Sequence, residues 1–596
     1  MRFSSSTAIV VALSSFLQCN HVIDAFSLPT STTTTTVTQS PSSSSRPSPK
    51  EIQQRQEAAE SVARSIHDNH AMNALFVNIE EKPKPVPCTI SSNSRTSNLP
   101  SDLPPGCILR IGPNGASTNE GFLDGDGLVH CITLPPHDSE YDIMYSATYV
   151  QTKGRKLERA KRIKSKDKNN ESTYLGTLGA APNGLPMLAS LIQNGVNFAT
   201  IDVQKDTCNT AMAISGDRVL ALMEQSPPTE IEFYKSGQMK TVDSCTRLDG
   251  AIPWAPVNGG SFGAHGRTDP ETKERIHVSY NSNEAPFVRV DTFEEGWKLT
   301  SSKGVDVAAP IMVHDACLTK EYVVILDFPL TIRPKRFLQN LFPVEYEPEH
   351  GARIGLARRG TTADDTIWFE VESGVVLHAA NAYEREDGNI VIHGFKSVPK
   401  GSSSYILDYT PAFLYEWVLD PSTGKTVDER CMNPDVLVEF PMIEDESVGR
   451  RAKATYGLVT SSIGGPMAQF KTPQVGVLLD GVVKFALEDD EEKVFAAGDV
   501  IGRFDLPNNW HSVSEPTVVS KSGGDGHYIL LMATYVPPND GIKSHIEVAS
   551  DGNSLKSQLL ILDGDELSDG PVTTIELPTH VNYGLHSLFV DWDKMK

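Results

Sequence analysis

The chain has 596 residues, of which 39% are hydrophobic and 22% charged, enough apolar material for a large buried core. Its formal charge of −23 at pH 7 excludes a phosphate-backbone partner, because a nucleic-acid binder needs a basic face. Eight cysteines stand singly with no C-x-x-C pair, which speaks against a thiolate zinc site. Loss of Cys19 with a leader leaves seven, an odd number that reads as free thiols in a reducing compartment, although spacing alone leaves a disulfide open.

Residues 1–25 have the form of a signal peptide: one arginine, an apolar run from Ala8 to Leu17, and small residues near Ala25. The apolar run is shorter than the roughly 20 residues a bilayer span takes. Residues 26–49 follow as a low-complexity, hydroxyl-rich tract almost free of acids, of the kind found in transit peptides. The step "DAFSLP", with Phe26 after Ala25, resembles the cleavage region of bipartite leaders that enter plastids wrapped in extra membranes. A plastid destination is therefore expected, with plain secretion as the alternative. Residues 50–76 place Ile52, Ala59, Val62 and Ile66 on an approximate helical stripe, and one helix is expected there. Its apolar side would pack on the main body or touch a membrane surface.

Residues 77–596 form the main domain. Short β-rich runs such as "RIHVSY", "EYVVIL", "IWFEV", "YEWVLD" and "HYILLMATYV" alternate with turns such as "TDPETKE", "REDGN" and "DPSTGK". This texture predicts an all-β fold, and its length suits a β-propeller with large loops better than a single sandwich. No clean repeat is visible. "SGGDG" at Ser522 lacks a strand-to-helix setting and reads as a turn, so no nucleotide loop is present.

Sixteen histidines occur. His67, His70, His137, His350, His527 and His580 sit in a polar helix or in turns. His130, His277, His393, His511 and His545 lie in strands or loops without a distinguishing context. Four others stand at strand ends or beside small residues: His265 in "GGSFGAHGR", His314 in "IMVHDAC", His378 in "GVVLHAANAYE" and His586 in "NYGLHSLFV". A propeller turns the innermost strand of each blade toward a central channel, so distant segments can meet on its axis. Four imidazoles meeting there would suit iron, zinc, copper or nickel. Spacing alone does not establish that they meet.

The segments carrying these histidines resemble the carotenoid cleavage oxygenase family, which includes the plant 9-cis-epoxycarotenoid dioxygenases. "LPSDLPPGCILRIGPNG" is similar to the family's "LP..L.G.Y.RNGPNP", and "GFLDGDGLVHCITL" to its "FDGDGMVH" segment. "AHGRTDPET", "PIMVHDACLTKEYVVILDFPL", "WFEVESGVVLHAANAYE" and "YGLHSLFV" follow in the family's order. The resemblance begins near residue 74 and runs to the C-terminus. It implies a seven-bladed β-propeller with a loop and helical cap over an axial Fe(II), held by His265, His314, His378 and His586. It further implies that Glu224, Glu439 and Glu515 orient three of those imidazoles. Departures occur at Gly112–Gly115, at Gly266 and Arg267, at Ala316, and from Ala379, where small residues replace bulky aromatics and would reshape a substrate tunnel.

By the same resemblance the activity is oxidative cleavage of a carotenoid double bond by O₂, giving two apocarotenoid carbonyl products and needing no organic cosubstrate. An epoxy- or hydroxy-carotenoid fits the likeness around Glu224. Alternatives are an isomerase or a stilbene-cleaving enzyme of the same fold, and a propeller that binds carotenoid without reaction. A long apolar substrate calls for an apolar tunnel and an exposed apolar patch for peripheral membrane contact. Candidates for the patch are Ala74 to Ile79 and the loop from Gly184 to Phe198.

Overall fold

A computed structural model describes residues 47–66, 69–114, 125–164, 206–224, 226–244, 248, 262–282, 285–333, 336, 344–399, 411–466, 475–539 and 554–596. Strands dominate, and they assemble into seven blades. Blade 1 holds Ala211–Ser215, Arg218–Leu222, Thr229–Phe233 and Met239–Asp243 in that order. Blade 2 runs from Gly266–Thr268 through Arg275–Tyr280 and Val288–Glu294 to Lys298–Val305. Blade 3 runs from Ala316–Leu318 through Tyr322–Asp327 and Ala352–Arg358 to Ile367–Val371.

Blades 4 and 5 share one seven-stranded sheet. The joint is the 18-residue strand Lys425–Met442, which pairs along most of its length with Ala412–Asp420 and at its end with Ala454–Pro466. Its first part is thus the rim of blade 4 and its last residues the inner edge of blade 5. Blade 6 is built on His527–Tyr535, which pairs with both Trp510–Ser512 and Thr517–Ser520 on its inner side. Blade 7 closes the ring: the C-terminal strand Ser587–Asp591 pairs with Gly106–Asn114, and Lys82–Pro87 forms the far edge of the same sheet. Joining N-terminal to C-terminal strands leaves no open edge at the seam, where an unpaired edge would invite association.

The middle strands of each blade lie between two neighbouring blades, so both faces are covered. This is why Tyr322–Asp327 (YVVILD), Ile390–Ser397 and Asp126–Leu134 are buried at every residue; the first reads as a nearly continuous apolar run, while polar members of the others are paired inside the blades, Lys396 with Glu429 at 2.5 Å and His130 with Tyr145 at 2.8 Å. Each fully buried Leu, Ile or Phe in those runs contributes about 1.5–3 kcal/mol.

Two expectations for the N-terminal segment need correction. In place of a single helix over 50–76 there are two, Pro49–Ser65 and Asn69–Leu75. The first packs on Lys425–Met442 and Ala454–Pro466, with Ala63 buried and Ile52, Gln56 and Ala59 facing in, while Val62 and Ile66 are 61% and 48% exposed. Hydrogen bonds fix this rotation. The Gln56 amide donates to the Tyr415 hydroxyl at 3.3 Å, and Arg55 forms a two-pronged ion pair with Asp435. The second helix and its exit, Ala74 to Ile79, are core rather than an exposed patch: Ala74, Leu75 and Ile79 are buried, and Phe76 stacks on Tyr583 at 4.6 Å. The leader, the loop from Gly184 to Phe198 and Cys245 lie outside the described residues. Cys88, Cys107, Cys131, Cys317 and Cys431 are free thiols. Among the described residues no helix is long and apolar enough to cross a membrane.

Candidate metal centre

Innermost strands deliver all four singled-out histidines to one place. His265 directly precedes Gly266–Thr268, His314 stands two residues before Ala316–Leu318, His378 lies inside Val375–Glu384, and His586 directly precedes Ser587–Asp591. Local irregularities aim the side chains. A bulge between Val376 and Ala379 turns His378 out of the regular alternation. Ahead of His265, a side chain at Gly263 would sit 2.1 Å from the Val278 carbonyl oxygen, so only glycine allows that backbone approach. The backbone of His586 is held by its carbonyl, which accepts the Ile111 N–H at 3.0 Å.

One nitrogen from each of His265, His314, His378 and His586 lies within 4.8 Å of every other. Ring centroids are 4.3 Å apart for His265 and His586, 4.6 Å for His265 and His314, and 5.3 Å for His265 and His378. The ring nitrogens Nε2 of His314 and His378 approach to 3.2 Å. For metal–nitrogen bonds of about 2.1 Å, two ligands at a right angle stand roughly 3 Å apart, so this spacing suits a shared ion.

Protonation follows from the outer partners. His378 Nδ1 donates to Glu439 Oε2 and His586 Nδ1 to Glu515 Oε2, each at 2.8 Å, and His314 Nδ1 pairs with Glu224 Oε1. A neutral imidazole that donates from Nδ1 carries only a lone pair on Nε2. With both rings neutral, the close Nε2 atoms of His314 and His378 are two lone pairs facing each other, which repel unless a proton or a metal cation lies between them. Nε2 of His265 is buried with no hydrogen-bond partner. A buried acceptor left unmade costs about 1–3 kcal/mol. These residues fit a cation held on nitrogen.

Burial, aided by the neighbouring His586, His314 and His378, holds the His265 pKa well below the ordinary imidazole value. Burial also lowers His378, against the pull of Glu439. At His314 burial again opposes the charge, but Glu224 outweighs it and the net shift is upward. His265 and His378 are thus neutral at pH 7, with lone pairs free to bind.

The glutamates are placed as firmly as the rings. Glu515 also accepts the Ser587 N–H at 2.7 Å, which ties it to the strand following His586. Glu439 accepts the N–H of Phe440 at 2.9 Å, and Phe440 has a left-handed φ of 57°. That conformation is strained for a bulky residue, by about 1–3 kcal/mol. It turns the Phe440 ring onto His378, with centroids 5.3 Å apart and an interplanar angle of 25°. Nothing in the residue order announces Phe440 as a site residue; the register break after Glu439 that produces it is visible only in three dimensions.

A cavity of about 540 Å³ reaches His265, His378 and His586. Arg275, Asp445 and Met442 share its wall, so the described space is mixed in polarity rather than the apolar tunnel expected. The remaining buried histidines stay inside blades: His130 bonds the Tyr145 hydroxyl at 2.8 Å, His277 takes the Arg275 Nε–H at 2.9 Å, and His393 meets Glu416 at 3.1 Å. His511 pairs with Asp480 at 2.5 Å. His545 lies outside the described residues.

Comparison with known proteins agrees with this architecture. The family model described as retinal pigment epithelial membrane protein, RPE65, matches residues 79–591. The carotenoid 9,10(9',10')-cleavage dioxygenase 1 of Pisum sativum is 26% identical over 550 residues, covering 89% of this chain and 91% of the relative. Relatives from Arabidopsis thaliana and Oryza sativa at 23–24% identity have names that place them in the chloroplast. The fold resembles a mutant apocarotenoid oxygenase of Synechocystis, with a TM-score of 0.67, 20% identity, and coverage of 88% of this chain and 99% of that one. It also resembles the lignostilbene dioxygenase of Pseudomonas brassicacearum, with a TM-score of 0.65, 19% identity, and coverage of 87% and 97%. The chain belongs to the RPE65 family, that of the carotenoid cleavage oxygenases, and is an enzyme of the dioxygenase class.

Proposed function

We propose that this enzyme is a non-haem Fe(II) dioxygenase that cleaves a carbon–carbon double bond of a carotenoid with O₂, giving two apocarotenoid carbonyl products. His265, His314, His378 and His586 are the proposed iron ligands and catalytic residues, with Glu224, Glu439 and Glu515 orienting three of them. The observation that carries the reading is the meeting of one ring nitrogen from each of four histidines, three of them backed by carboxylates. Neutral nitrogen donors with outer carboxylate partners suit a divalent transition metal. Iron(II) bound there would supply the electrons that triplet O₂ needs.

The chain's own residues supply the geometry. Each glutamate fixes the tautomer that leaves Nε2 free, and Phe440 covers one face of His378. Four histidine ligands would hold the metal and leave room on it for small reactants, to which the cavity gives access. An epoxy- or hydroxy-carotenoid is the favoured substrate. The mixed cavity wall also favours a second reading, cleavage of a stilbene-like aromatic, because that wall does not demand a long pure hydrocarbon.

Residues 1–25 and 26–49 act, in this proposal, as signal and transit segments to a plastid, with 77–596 as the catalytic domain; chloroplastic names among the relatives support the destination. Peripheral membrane contact then falls to the loop from Gly184 to Phe198. The deciding experiment gives protein reconstituted anaerobically with Fe(II) a carotenoid panel and a stilbene, then air. Products are read by mass spectrometry. Aldehyde or ketone pairs carrying oxygen from ¹⁸O₂ support the proposal; binding of the panel with no O₂ uptake would refute it.

A further inference from the structure

His265 differs from its three companions, because among the described residues no carboxylate holds it. Its second nitrogen is not fixed by a glutamate, and its Nε2 has no partner. Yet its strand is tied to the others through Arg267, two residues on. Arg267 Nη2 donates to Asp315 Oδ2 at 2.6 Å and to the Ala379 carbonyl at 2.9 Å. Asp315 Oδ2 also accepts the Ala379 N–H at 3.1 Å, and Oδ1 accepts the Ala316 N–H at 2.8 Å. Asp315 follows His314, and Ala379 follows His378. Three of the four histidine-bearing segments are therefore laced together by one guanidinium and one carboxylate. The Asp315 side chain is only 1% exposed. Such a carboxylate is costly to bury unless it is paired and fully hydrogen-bonded, and here both of its oxygens are satisfied.

Resting on the proposed metal centre, we propose that Arg267 and Asp315 form a positioning pair that does for His265 what Glu224, Glu439 and Glu515 do for the other ligands. The two N–H bonds of the single Nη2 let one side chain serve two strands at once. With the pair intact, the strand after His265 cannot slide against those after His314 and His378, and the bite of the three imidazoles is set before a metal arrives. Removing the guanidinium leaves Asp315 buried without its cation and frees the His265 strand. Both side chains also line the cavity that reaches His265, His378 and His586, so the pair is tested on the metal site itself rather than on turnover.

The test is an anaerobic titration with Co(II), followed by its visible absorption, on the unsubstituted protein and on Arg267→Gln, Arg267→Lys and Asp315→Asn. Arg267→Gln and Asp315→Asn are each expected to weaken Co(II) binding about 10–100-fold, the scale of lost outer partners at metal sites, and to change the band shape. The double variant is expected to be no weaker than the weaker single one, because the two act as a unit. Arg267→Lys keeps the charge on a more flexible stem without the fixed planar donor and is expected to lose about three- to tenfold with a smaller band change. If Arg267→Gln does not fold, the lysine variant decides: an unchanged spectrum and affinity would overturn the inference. Lowered thermal stability with unchanged Co(II) affinity and spectrum would overturn it too, as it would show a purely structural ion pair. Absence of Co(II) binding by the unsubstituted protein would refute the metal centre itself, and this inference with it.

Discussion

Two histidines of blade 4 each pair with a glutamate, and the pairs differ in one respect. His378 and Glu439 stand at the axis; His393 and Glu416 face each other across the strands Ile390–Ser397 and Ala412–Asp420. All four residues are buried or nearly so. In the first pair Nδ1 takes the carboxylate and Nε2 looks toward three other imidazoles. In the second Nε2 takes the carboxylate, and Glu416 is shared with the Arg430 guanidinium, which bonds it at 2.8 Å. Burial works against ionisation of Glu416, but His393 and Arg430 prevail and its pKa lies below the ordinary value. A buried histidine–glutamate pair is thus a general way to satisfy an imidazole. It becomes a candidate metal site only where the other nitrogen is left bare and meets its equals.

The largest break of this comparison is expected from His378→Ala or His314→Ala, which should lose stoichiometric iron and activity while the fold persists. His393→Ala should keep its iron. Metal content by mass spectrometry after anaerobic reconstitution checks both, and full iron in His378→Ala would remove it from the ligand set. Gly263→Ala comes next: its side chain collides with the Val278 carbonyl and displaces the segment ahead of His265. Most bound iron should be lost although no donor atom is touched; normal iron content would show that the approach can relax.

Glu439→Gln is expected to weaken metal binding or activity by about 10–100-fold. Glu416→Gln should leave the metal untouched and cost about 1–3 kcal/mol of stability, since Arg430 and His393 lose a charged partner. Chemical denaturation paired with metal titration separates the two, and equal metal losses would abolish the distinction drawn between axis and blade.

The smallest expected effect concerns a half-buried imidazole whose Nε2 has no hydrogen-bond partner among the described residues. Burial, with a contribution from Lys82, lowers the His580 pKa to about 4. Because the folded form binds the proton less readily than the unfolded one, stability is fully present above about pH 6.5 and is lost as pH falls toward 4. The swing is on the order of 3 kcal/mol at most. His580→Gln should flatten the melting-temperature profile across that window; an unchanged slope would show that other groups carry the pH dependence.

The fold was legible where burial is two-sided, because runs such as YVVILD can only be core strand. Helix 49–65 was legible as a helix but not in its rotation. Val62 and Ile66 look like part of the apolar stripe, yet they face out because Gln56 and Arg55 find polar partners on blade 4. Ala74 to Ile79 looked like a surface patch because its length is short and apolar. It is core because the loop carrying Tyr583 folds over it, with Tyr583 N–H donating to the Leu75 carbonyl at 2.7 Å. At the site, the histidines stood out by their small-residue surroundings and their order along the chain. Phe440 and the link from Arg267 to Ala379 did not, since each depends on a register break or on three strands meeting.

By itself the sequence singled out the candidate metal-ligating side chains and their places at or near the ends of β-strands, because residue type and apolar periodicity are local properties. Only the tertiary structure decided that positions 265, 314, 378 and 586 share one centre, which nitrogen of each is free, and that His265 is steadied through Arg267. Those facts depend on ring closure by the C-terminal strand and on distances between segments more than 45 residues apart in the chain. Local residue preferences carry no information about such distances.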